Sequence, residues 1–151
     1  MRPAYFRIAA AKTGDADAIE RLRELQSLAE EFTRAETSFP ERIEAVKARR
    51  GEAPVRLRKS QREQLTELEH DSRELEERMA QDFAQLASAP EIVGALRYGF
   101  ADDLSRAEGY LKFYHPDERP LGEELIALKK AMLEKMDDFL AHHPDTDADA
   151  F

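Results

Sequence analysis

Residues 47–62 read KARRGEAPVRLRKSQR, and this stretch decides how the chain is expected to fold. Gly51-Glu52-Ala53-Pro54 is a turn signal, because glycine and proline together end a helix and leave four residues to reverse the chain. Apolar residues recur every three or four positions on both sides of it, the spacing that lines one face of an α-helix. Before the turn these are Ile19, Leu22, Leu25, Leu28 or Ala29, Phe32, Ala35, Ile43 and Val46. After it they are Leu65, Leu68, Ser72, Leu75, Met79, Phe83 and Leu86, close to a seven-residue repeat. Residues 15–87 are therefore expected to double back as an antiparallel helical hairpin. The first helix opens near Asp15, with Asp15, Asp17 and Glu20 at the end where the helix dipole favours negative charge. The second runs from about Val55 to Ala87.

Further signals divide the rest. Ser88-Ala89-Pro90-Glu91 has the spacing of a capping box with proline in the first turn. It predicts a third helix to about Tyr114, carrying Ile92, Val93, Leu96, Phe100, Leu104, Ala107 and Leu111. Gly94, Gly99 and Gly109 interrupt that helix and predict close approach of a neighbour or a bend. The turn His115–Pro120 leads to a fourth helix, to about His142, with Leu125, Leu128, Met132, Met136 and Phe139 inward. Ser38-Phe39-Pro40-Glu41 repeats the cap signature inside the first helix and predicts a restart or kink there. The expected fold class is all-α: two antiparallel helical hairpins forming an elongated four-helix bundle, coiled-coil-like in character. Residues 1–14 are expected as a loosely packed arm, 15–143 as one bundle domain (hairpins 15–87 and 90–143), and 144–151 as an acidic disordered tail. At 1.5 Å per residue the hairpins are about 50 Å and about 35 Å long, so the first should project past the second by about 12–15 Å.

Composition excludes several classes. The chain of 151 residues is 36% charged, has net charge -9 and holds no cysteine, so disulfides, thiolate metal sites and cysteine nucleophiles are ruled out. No run of apolar residues suits a signal peptide or a membrane span, and a cytoplasmic location is expected. There is no Gly-x-Ser-x-Gly elbow and no phosphate-binding glycine loop. Glu67-x-x-His70 occurs once, where a di-metal bundle would need it twice. His142 and His143 are adjacent and do not share a helix face. No enzyme activity, metal or cofactor is expected.

Two surfaces stand out. From Arg42 to Arg62 eight basic residues face only Glu44 and Glu52, whereas Glu63 to Asp82 holds eight acids against Arg73 and Arg78. The hairpin is expected to carry a basic tip on an acidic protein. Arg49, Arg50, Arg56, Arg58, Lys59 and Arg62 are the candidate docking residues there, for an acidic protein partner or, alternatively, for nucleic-acid phosphates. No aromatic residue lies among them, which argues against base stacking. The second surface is the outward side of the third helix, with Tyr98, Tyr110 and Phe113, residue types that suit an interface that is apolar yet partly wet. The expected function is that of a non-enzymatic helical interaction protein (an adaptor, chaperone-like factor or inhibitor), working as a homodimer away from membranes.

Overall fold

The computed structural model describes residues 3–53 and 56–145. Among them every regular element is helical. The chain forms α1 (Ala4–Ala11), α2 (Ala16–Arg49), α3 (Lys59–Leu86), α4 (Ala89–Tyr110), a 3₁₀ turn (Leu111–Phe113) and α5 (Arg119–His142). Local chemistry sets most of the ends. Asp15 caps α2 by accepting from the Ala18 N–H at 3.0 Å, and Ser88 caps α4 by accepting from the Glu91 N–H at 3.3 Å. Proline stands in the first turn of both α4 and α5, where a missing N–H costs little. Gly51 ends α2's C-terminal turn at φ 83°, a conformation glycine adopts without strain.

The core joins Leu22, Leu25, Ala29 and Phe32 of α2, Ile92, Val93 and Phe100 of α4, and Met132, Met136 and Phe139 of α5. Burying each of these larger side chains contributes about 1.5–3 kcal/mol. α5 runs antiparallel to both neighbours. Its ion pairs Asp138–Arg21, Lys135–Glu24 and Glu124–Arg42 descend along α2, and Asp137–Arg97 and Lys130–Glu108 descend along α4. No helix among the described residues is long and apolar enough to cross a membrane.

Four features depart from expectation. First, α1 replaces the loose arm: Phe6 and Ala9 are fully buried, and the helix packs on α2, α4 and α3. Lys12 closes its end by donating to the Ala87 carbonyl. Second, α2 runs unbroken through Pro40, and Ser38 does not cap. Its Oγ instead donates back to the Ala35 carbonyl at 3.1 Å, a bond made inside a helix. The Phe39–Tyr114 ring contact and the Arg42–Glu124 pair hold the helix on either side of the proline. Third, α2's end does not project. Arg50 is ion-paired to Asp117 and Glu118, so the helix reaches only as far as the turn before α5. Fourth, hairpin 15–87 is not zipped shut. α1 lies against α2, and α3 meets the body through Ala80 and Ala84, while every residue from 59 to 79 is exposed. Pro54 and Val55, and residues 146–151 of the expected tail, lie outside the described residues.

Candidate interaction surface

α3 is helical for local reasons. Glutamate, glutamine, arginine and leucine dominate Lys59–Leu86, and all are strong helix formers. The Gln61 side chain accepts from the Arg58 N–H at 3.0 Å, and Lys59–Glu63 and His70–Glu74 pair one turn apart. Apart from Ala80 and Ala84, its apolar residues stay largely in water among the described residues. Leu68 is 65% exposed, Leu75 61%, Met79 64% and Leu86 90%. Leu65 and Phe83 are exposed on the same side. By helical geometry this stripe lies roughly a third of the way round the helix from the face that Ala80 and Ala84 turn toward α1. A cleft remains between α3 and the body, lined by Tyr5 and Ile8 of α1, Thr33 and Glu36 of α2, and Arg73 and Glu77 of α3.

The basic candidates divide into two groups. Arg50 is engaged with Asp117 (2.5 Å), Glu118 (2.8 Å) and Glu52 (3.3 Å). Glu118, only 4% exposed, is held below the usual carboxylate range by the Arg50 hydrogen bond, and Arg50 is raised above its ordinary value by the same bond. Arg49, Arg56, Arg58, Lys59 and Arg62 are exposed, and the last two belong to α3 itself. The aromatic candidates lie on the body. Tyr98, Tyr110 and Phe113 are all exposed, with Tyr110 and Phe113 ring centroids 6.3 Å apart. Tyr98 stands about 18 Å further down α4, so the three do not form one compact patch.

The stripe on α3 is the surface that sequence reasoning misplaced, having assigned it to the seam with α2. One signal pointed the other way: Tyr5, Phe6 and Ile8 form a second apolar group that also needs cover, and α2 has one stripe to share. Gly122 was likewise overlooked. A Cβ there would stand 2.9 Å from Leu111 Cδ2, so this glycine lets α5 approach the 3₁₀ turn. The three glycines of α4 have open space around them instead.

Among the described residues, one group of side chains has metal-ligand spacing: oxygen and nitrogen atoms of Asp15, Asp17 and His143 lie within 4.8 Å of one another. Its members have other employment. Asp15 caps α2, and Asp17 takes Arg21 and His143 at 2.8 Å each, which lowers its carboxyl below the ordinary range. The molecule thus defines a class: an all-helical protein in which one long amphipathic helix stands off its own core. Comparison with protein-family models, with curated proteins and with solved structures finds no match to the chain.

Proposed function

We propose that the protein is a non-enzymatic helical interaction protein whose docking surface is the apolar stripe of α3. One observation carries the reading. Leu65, Leu68, Leu75 and Met79 line one side of a helix that is exposed from 59 to 79. Each leucine left in water forgoes about 1.5–3 kcal/mol that burial against a partner helix would supply. Exposed leucines at helical spacing on this scale suit a helix-on-helix interface. Tyr110 and Phe113 offer a second, smaller surface where α4 meets the 3₁₀ turn, and Tyr98 stands apart from it. Nucleic-acid binding through Arg49, Arg56, Arg58 and Arg62 is the weaker alternative, since Arg50 is spent on the body and eight acids follow on the same helix.

Photo-crosslinking in cells tests this. A photoreactive residue replacing Leu68 or Leu75 should crosslink to a protein chain. The same residue replacing Glu67 or Glu74, roughly a third of the way round α3 from the stripe, should not. Absence of any protein adduct from both stripe positions would remove the reading.

A further inference from the structure

We infer that the occupant of the α3 stripe is the α3 stripe of a second copy of this chain, laid antiparallel. This rests on the docking surface proposed above and names its partner. The spacing comes first. Leu65, Ser72, Met79 and Leu86 fall at one position of a seven-residue repeat, and Gln61, Leu68, Leu75 and Asp82 at the other, the pattern of a two-helix seam. Such a seam asks for a helix with the same repeat, and α3 itself supplies one.

Charge then sets the direction. α3 and its approach are basic at the start (Arg56, Arg58, Lys59, Arg62) and acidic further on (Glu74, Glu76, Glu77, Asp82). Parallel copies would set each cluster beside its like. Antiparallel copies set the basic end of one against the acidic end of the other, twice by symmetry.

The seam also selects a register. With Leu65 opposite Leu75 of the second copy, Leu68 meets Ser72, Gln61 meets Met79, Arg58 meets Asp82, and Arg62 lies beside Glu76. Sliding one repeat toward fuller overlap would press Leu65 against Asp82 and lose both arginine pairings. In the favoured register Glu69 and Asp71 flank the two-fold axis and approach their own symmetry mates, so the dimer carries an internal electrostatic cost. Small Ser72 beside that axis lets the two helices close.

The chain has no cysteine, so introduced thiols report unambiguously. Sedimentation should show a dimer at high micromolar concentration, and the double variant Leu68→Glu/Leu75→Glu should be monomeric with its helix content kept. Arg58→Glu/Arg62→Glu should weaken the dimer roughly tenfold, and adding Glu76→Arg/Asp82→Arg on the same chain should restore it. Glu69→Gln/Asp71→Asn should tighten it. Leu65→Cys mixed with Leu75→Cys should oxidise to a mixed disulfide. Leu65→Cys alone should not, since its two thiols would stand about 15 Å apart along the pair. A monomer at all concentrations, a dimer indifferent to the leucine variants, or ready disulfide formation by Leu65→Cys alone would each overturn the antiparallel pair. The first two outcomes leave the docking role intact, provided Leu68 and Leu75 still crosslink to some other protein.

Discussion

At the scale of single residues, Glu118 and Arg50 decide where α2 ends. Glu118 is the one buried charged side chain among the described residues, and three carboxylates converge on one guanidinium at the end of α2. A carboxyl whose folded value is depressed contributes stability that is present above its unfolded value and lost as pH falls through the folded one. Glu118→Gln should therefore melt below the parent protein at neutral pH. The gap should narrow on acidification and close once the parent's Glu118 is protonated. Thermal melts across an acid series check this, and a gap that widens toward acid would contradict the pairing. Nothing in the motif around Gly51 announced the clamp, because Asp117 and Glu118 lie 67 and 68 positions away in sequence.

At the scale of helices, local punctuation was legible and partnership was not. Asp15, Ser88 and Pro90 marked their helix starts because capping uses atoms within four residues of each other. The signature at Ser38 used the same residue types yet lies inside α2. Packing of Phe32 and Ile43 on either side outweighs the roughly 3 kcal/mol that an interior proline costs. An apolar stripe shows that a helix has something to bury, and leaves open which surface will take it. This is why α3 could be read as a helix while its neighbour could not. The glycines of α4 separate the same two levels. Gly94 and Gly99 have helical backbone and empty surroundings, so close approach of a neighbour does not call for them. Gly99→Ala should stabilise the protein by about 0.5–1 kcal/mol, read as a shift in denaturant midpoint. A loss of stability would show that the position is packed.

At the scale of the whole molecule, α1 takes the place that a fully closed bundle would give to α3. Phe6 is completely buried among α2, α4 and the end of α3. Phe6→Ala should cost about 3–5 kcal/mol in equilibrium unfolding, more than truncating any leucine exposed on α3. A change within the range of ordinary surface substitutions would mean that α1 is only lightly attached. The start of α1 has a practical corollary as well. Pro3 and Ala4 line the cleft beside Arg73 and Glu76, level with the middle of α2, whereas Pro144 follows α5 by Asp17 at the start of α2. A bulky label at Ala4 would therefore enter that cleft and press on α3, whereas one at Pro144 would not. Reporter groups for this protein belong near Pro144 rather than Ala4.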